Sequence, residues 1–185
     1  MIRAPLHLLA SAAASAVVVL SALLSWSAPT AAAADELDDA RFLTQCVETQ
    51  LASGTARAES VCLGLIALPC TDAGPSADDV QAQEKHEIAC LSRETAAWQV
   101  AVDEWWPDLL AATVTLDARD DRQSASADAL RQAHRAWESF AQAECAYAAA
   151  LWGRSTYREV SRADCEMRTL ARRAIQLRAQ TGLDS

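Results

Sequence analysis

The chain contains the stretch CAYAAALWGRSTYREVSRADC, residues 145–165, in which Cys145 and Cys165 each lie ten residues from Ser155. If the chain reverses near Ser155 between two antiparallel helices, the two sulfur atoms come level with each other. A disulfide requires that the two Cα atoms approach to within about 7 Å. The stretch therefore predicts a helical hairpin that is closed by a Cys145–Cys165 disulfide.

Residues 1–34 have the organisation of a secretory signal peptide. Arg3 supplies the positive charge, an apolar stretch is densest from Val17 to Leu24, and the alanines that end at Ala34 suit a cleavage site. We expect cleavage after Ala34 and export, with the periplasm as the destination. No later stretch is long and apolar enough to predict a membrane span. Residues 35–185 are then expected to form a single disulfide-stabilised helical domain.

All six cysteines fall in the predicted mature part, and an even number of cysteines in an exported chain favours disulfides. Cys46 and Cys62 are each eight residues from Gly54, which repeats on a smaller scale the symmetry around Ser155. We favour Cys46–Cys62 together with Cys70–Cys90. The alternative is Cys62–Cys70 with Cys46–Cys90, because Cys62 and Cys70 bound a short loop.

The sequence predicts no metal site, no cofactor and no catalytic residue. It has no CxxC pair and no CxxCH haem signal, and neither His86 nor His134 has a ligand-like partner at short spacing. Nucleophile, zinc-protease and phosphate-loop motifs are also absent from the sequence. We therefore predict that the protein is not an enzyme.

The chain is acidic, with 25 Asp and Glu against 16 Lys and Arg and a formal charge of −9. The predicted leader contributes one arginine and no acid, so the mature part carries −10. Nucleic acid is excluded as a partner, because its phosphates attract a basic surface. A strongly basic protein partner would be attracted instead.

Helical periodicity predicts an all-α fold, either a small antiparallel helical bundle or helical hairpins stapled by disulfides. The predicted segments are 38–51, a short helix over 57–65, then 77–116, 124–152 and a last helix after Gly153. Pro107 should kink or split the long segment. Residues 68–76 contain Pro69, Gly74 and Pro75, and they are predicted to be a loop.

Apolar stripes at spacings of three and four residues predict the core. Trp105 and Trp106 are adjacent, so both cannot face one seam, and periodicity places Trp106 at the core edge or in solvent. Trp106 is therefore the candidate contact residue. The predicted stripes are Ile88, Leu91, Trp98, Val102, Trp105 and Leu109; Leu130, Ala133, Trp137, Phe140 and Tyr147; and Val160, Ala163, Met167, Leu170, Ala174 and Leu177.

Two further stretches carry a family resemblance. They read LRQAHRAWESFAQAEC, from Leu130 to Cys145, and CEMRTLARRAIQL, from Cys165 to Leu177. Together with CLSRETAAW at residues 90–98, this ordered pattern resembles the LprI-type lysozyme-inhibitor N-terminal domain, an exported family. The resemblance covers residues 70–180, and residues 35–69 are similar to an N-terminal addition found in some relatives.

The residues that match the family pattern are scaffold features: Trp137, Cys145, Cys165, Arg173 and Leu177. Some polar features depart from the pattern. Trp106 stands where the family has tyrosine, and His134 stands where it has glutamine.

The resemblance implies a non-enzymatic envelope protein that inhibits or binds lysozyme-like muramidases, with a basic lysozyme-like protein as its partner. The alternative is a structural or adaptor protein of the periplasm without any lysozyme-related activity.

Overall fold

A computed structural model describes residues 31–54, 57–75, 78–121 and 125–181. Most of these residues lie in six α-helices: α1 Ala31–Ala52, α2 Ala58–Cys62, α3 Ala67–Asp72, α4 Val80–Arg119, α5 Ala125–Ala150 and α6 Arg158–Thr181. No strand occurs in the described ranges, so the predicted all-α fold is confirmed. The predicted leader lies almost entirely outside the described residues.

The α4 helix is the central element of the fold. It contains 40 residues, which corresponds to a length of about 60 Å. It begins at its N-cap Asp79, whose side chain accepts a hydrogen bond from the Ala82 N–H at 3.0 Å. α6 and α1 pack along it, α3 covers its first half, and α5 closes against α6.

Pro107 does not split this helix, because α4 continues through it from Val80 to Arg119. Trp105 and Leu109 are buried on either side of Pro107. Apolar packing on both sides of the proline therefore offsets its missing backbone donor.

The core lies where α1, α4 and α6 meet. The predicted stripes of α4 and α6 are buried, except that Ile88, Ala163 and Leu170 are only partly buried. Leu43 and Val47 of α1 are fully buried in the same cluster. At the rim, Arg93 of α4 donates two hydrogen bonds to the Asp39 carboxylate, at 2.5 and 2.8 Å.

Three disulfides join these helices: Cys46–Cys62, Cys70–Cys90 and Cys145–Cys165. Their Cα–Cα distances are 5.9, 5.6 and 5.4 Å, within the range that disulfides require. Cys145 and Cys165 therefore close the hairpin of α5 and α6 across a turn in which Gly153 has a φ of +56°. The alternative pairing of the four N-terminal cysteines is not formed.

The stretch predicted as a loop at 68–76 instead contains most of α3, and a buried carboxylate explains why. Glu94 of α4 is 0% exposed, and it accepts hydrogen bonds from the backbone N–H groups of Gly64, Ile66 and Ala67, at 2.7, 3.0 and 2.8 Å. The Trp98 indole N–H donates a fourth bond at 3.1 Å. The carboxylate thus caps the α3 N-terminus, where negative charge is favourable. Pro69 lies in the first turn of this helix, where proline is tolerated.

A second buried acid caps the N-terminus of α5. Asp117, near the C-terminus of α4, is 2% exposed and accepts hydrogen bonds from the Ser126 and Ala127 N–H groups at 3.2 and 2.9 Å. Asp117 is therefore part of the folded structure. It fixes where α5 begins relative to α4.

We expect Glu94→Gln to lower the free energy of unfolding by about 2–3 kcal/mol. The glutamine amide has one uncharged oxygen in place of two carboxylate oxygens, and its NH₂ group faces N–H donors with which it cannot form a hydrogen bond. Urea denaturation followed by circular dichroism measures the change. The matched control is Glu104→Gln, an exposed acid on the same helix, which should leave stability nearly unchanged. Equal stabilities for the two variants would contradict the capping role of Glu94.

Candidate interaction surface

A continuous aromatic stack connects α4, α5 and α6. The Trp106 ring of α4 stacks on His134 of α5 with centroids 4.3 Å apart, and His134 stacks on Trp137 at 5.6 Å. The Arg173 guanidinium of α6 lies over Trp137, 5.6 Å from the ring centroid. We call Trp106, His134, Trp137 and Arg173 the aromatic stack. Its interactions combine ring stacking with a cation–π contact.

Arg173 is the buried end of the stack. It is only 7% exposed, and its Nη1 donates to Gln176 Oε1 at 2.8 Å. Its Nη2 lies 3.5 Å from His134 Nδ1, and its Nε has no hydrogen-bond partner within the described ranges. Burial lowers the pKa of the guanidinium, which nevertheless remains charged because arginine does not deprotonate in proteins.

The surroundings of His134 favour its neutral form. Desolvation, and then the positive charge of Arg173, lower the pKa of His134, whereas Glu138 opposes them. With Arg173 donating to Nδ1, the proton of the neutral ring resides on Nε2, which faces Glu138 Oε1 at 3.9 Å. His134 therefore offers an acceptor toward Arg173.

Trp137 and Arg173 of the stack line an open cleft of about 450 Å³ between α5 and α6. A smaller cavity of about 260 Å³ adjoins it and shares Trp137 and Thr169. The cleft has a mixed character, with two acids, two arginines and two aromatic rings in its lining. The lining residues are Glu59, Trp137, Phe140, Glu144, Thr169, Arg172, Arg173 and Gln176.

Three large apolar side chains on and just after α5 face solvent. Phe140, Tyr147 and Leu151 are 57%, 60% and 68% exposed, although Phe140 and Tyr147 were expected near the core. The buried residues of α5 are the small Ala127, Cys145 and Ala149.

We call Phe140, Glu144, Tyr147 and Leu151 the α5 outer face. They are spaced by four, three and four residues, so they form one row along the helix. Phe140 and Glu144 also line the cleft, which makes the row and the cleft one continuous surface. Exposed apolar rows of this kind mark contact surfaces.

The disulfide explains why the expectation for α5 was wrong. Because Cys145 must face Cys165 on α6, residues five positions before it and two positions after it point to the other side of the helix. Phe140 and Tyr147 occupy those two positions. Combining helical periodicity with the predicted Cys145–Cys165 pairing would have placed both rings outside.

Trp106, the contact residue favoured by the sequence, lies at the core edge and is half-buried beneath His134. Leu177 is fully buried, and Trp137 and Arg173 join the stack as described. Trp106 is therefore placed to hold His134 and α5 in position. In the part of the chain that the structure describes, the large exposed aromatic rings are those of Phe42 on α1 and of Phe140, Tyr147 and Trp152 on and just after α5.

A separate polar cluster surrounds the Cys70–Cys90 disulfide. His86 Nε2 lies 2.8 Å from the Cys70 carbonyl oxygen and 3.4 Å from Cys90 Sγ. The expectation that His86 lacks a ligand-like partner at short spacing is therefore wrong. Cys90 follows His86 by four residues on one face of α4, and the fold adds Cys70 from α3. The spacing HxxxC was the signal in the sequence.

The stability of the fold should depend on the protonation of His134. Because its pKa is lowered on folding, the unfolded chain binds the proton more readily than the folded protein does. This contribution favours the folded state above the unfolded pKa of about 6.5 and is lost as pH falls below it.

We therefore expect the wild-type protein to lose stability relative to His134→Gln between about pH 7.5 and about pH 5.5. Glutamine is the matched replacement, because its amide oxygen can accept from Arg173 without titrating in this range. Urea unfolding of both proteins across the pH series measures the difference. Parallel stability profiles would show that His134 titrates identically in the folded and unfolded states.

No helix in the described ranges has the length and apolar character that crossing a membrane requires. No curated protein and no solved structure was found to match the chain. A family model described as lysozyme inhibitor LprI matches residues 76–177, which is more than half of the 185 residues. The matched region includes α4, α5 and nearly all of α6, and therefore the aromatic stack and the α5 outer face. The chain belongs to the LprI lysozyme inhibitor family.

Proposed function

We propose that this protein is an exported, non-enzymatic inhibitor of lysozyme-like muramidases that acts in the periplasm. The match to the lysozyme inhibitor family carries the proposal. Family membership and three disulfides indicate export, because disulfides persist in oxidising compartments. The periplasm is the proposed site because an inhibitor there protects the cell wall.

The α5 outer face is the proposed contact surface for the muramidase. Phe140 and Tyr147 provide two exposed rings, and aromatic side chains dominate the binding energy of many interfaces. Between them lies Glu144, an exposed acid that also lines the cleft. A basic partner would meet an apolar row that carries a negative charge, set on a domain with a net charge of −10.

The aromatic stack packs beside the α5 outer face and holds α5 in position. Trp137 lies in the wall of the cleft beside Phe140, and Arg173 and His134 fix the orientation of its ring. Trp106 completes the stack from α4. In this proposal Trp106 contributes to binding through the position of α5, and the direct contacts come from α5 itself.

The experiment measures inhibition of several lysozyme types by the protein from residue 35 onward. We expect inhibition at micromolar protein that weakens as salt rises, because salt screens the attraction between an acidic inhibitor and a basic enzyme. The combined substitution of Phe140→Ser and Tyr147→Ser should weaken inhibition by at least about tenfold.

The matched control for these substitutions is Val80→Ser, which removes an exposed apolar side chain at the start of α4, 59% exposed, away from the cleft. It should leave inhibition unchanged. A wild-type protein that inhibits no lysozyme type would overturn the proposed function and favour the structural or adaptor alternative. Normal inhibition by the double variant would instead place the contact surface elsewhere.

A further inference from the structure

The cluster at Cys70, His86 and Cys90 has the composition of a metal site. One ligand atom from each residue, the two Sγ atoms and an imidazole nitrogen, lie within 4.8 Å of one another. Two of the three residues lie one helical turn apart on α4, and the third comes from α3. Thiolate and imidazole ligands suit zinc, with metal–ligand distances of about 2.3 and 2.1 Å. Sulfur atoms bound to one tetrahedral zinc ion are about 3.8 Å apart. The two sulfurs, which the disulfide holds at bonding distance, therefore have to separate after reduction, while the imidazole already lies beside them.

The structure holds these residues in place by contacts that do not depend on the disulfide. Glu94 binds the N-terminal amides of α3, which keeps the helix that carries Cys70 against α4. The His86 ring packs on Gly74, where an added Cβ would meet the imidazole Cδ2 at 2.4 Å. Opening the disulfide therefore leaves both helices and the imidazole with their other contacts.

We infer that the Cys70–Cys90 disulfide masks a redox-gated site for a thiophilic divalent cation such as Zn²⁺. A dithiol reductant transfers two electrons and two protons to the disulfide, which yields two cysteine thiols and the oxidised, disulfide form of the reductant. The cation then displaces both thiol protons into solvent. The two thiolates and neutral His86 bind it, and water completes the coordination. His86 Nε2 gives up its hydrogen bond to the Cys70 carbonyl oxygen to bind the cation, and the ring proton then resides on Nδ1.

The other two disulfides lack this composition. The Cys145–Cys165 pair has Thr169 Oγ1 beside it, at 3.9 and 3.8 Å from the two sulfurs, and a hydroxyl is a poor zinc ligand. Within the described ranges, the group around Cys70 is the one that brings three zinc-type ligands together. The gated site is therefore specific to the contact between α3 and α4, and it is independent of the proposed inhibition.

The test uses Co²⁺ as a spectroscopic probe for Zn²⁺ on the protein from residue 35 onward. The protein is reduced with a phosphine, and Co²⁺ is added under anaerobic conditions. We expect one equivalent to bind with a thiolate-to-cobalt charge-transfer band, and Zn²⁺ to displace it. A pH indicator should report about two protons released per metal ion at a pH below the thiol pKa. The oxidised protein should give no charge-transfer band.

Matched variants separate this site from the other cysteines. His86→Gln should weaken Co²⁺ binding to the reduced protein by at least about tenfold, since it removes one of three protein ligands. Replacing Cys145 and Cys165 together by serine removes a disulfide without a histidine and should leave Co²⁺ binding unchanged. Reduced wild-type protein that takes up no cobalt overturns the inference, whether or not it keeps its helicity. Equal binding by His86→Gln also overturns it.

Discussion

The Glu94 carboxylate is the interaction on which the arrangement of the N-terminal helices depends. A buried charge is costly unless it is fully hydrogen-bonded, and Glu94 meets this condition with three backbone N–H groups and the Trp98 indole. Because the three backbone donors belong to α3 and its approach while the acceptor belongs to α4, these bonds fix the two elements against each other. The position of Cys70 opposite Cys90 follows from that contact.

The α5 helix is held against α6 by a disulfide and an aromatic stack, and not by a buried carboxylate. Its core side consists of small residues, so it approaches α6 closely, and the Cys145–Cys165 disulfide and the aromatic stack hold it there. Phe140 and Tyr147 are therefore free to face outward. A helix that needed Phe140 and Tyr147 for its own packing could not offer them to a partner. Because small residues make the contacts with α6, the α5 outer face stays exposed.

Sequence patterns were sufficient where the structure is governed by local periodicity. The stripes of α4 and α6 were recognised because each lies on a long helix with apolar residues every three or four positions. The position of α3 could not be read from the same signals, since Pro69 and Gly74 suggest a loop and the acid that caps the helix lies 27 to 30 residues away. The α5 outer face required periodicity and disulfide pairing to be considered together. His86 and Cys90, one helical turn apart, do not by themselves predict a cluster. The third member, Cys70, comes from α3, and only the fold brings it to this pair.

The three disulfides are arranged in the order of the chain, so that no bridge encloses or crosses another. The first, third and fifth cysteines are each joined to the next one along the chain, across 16, 20 and 20 residues. If the chain is exported from its N-terminus, as proposed above, the two partners of each bridge emerge one directly after the other. Oxidation in order of emergence then produces the native set directly, without the reshuffling that overlapping bridges demand.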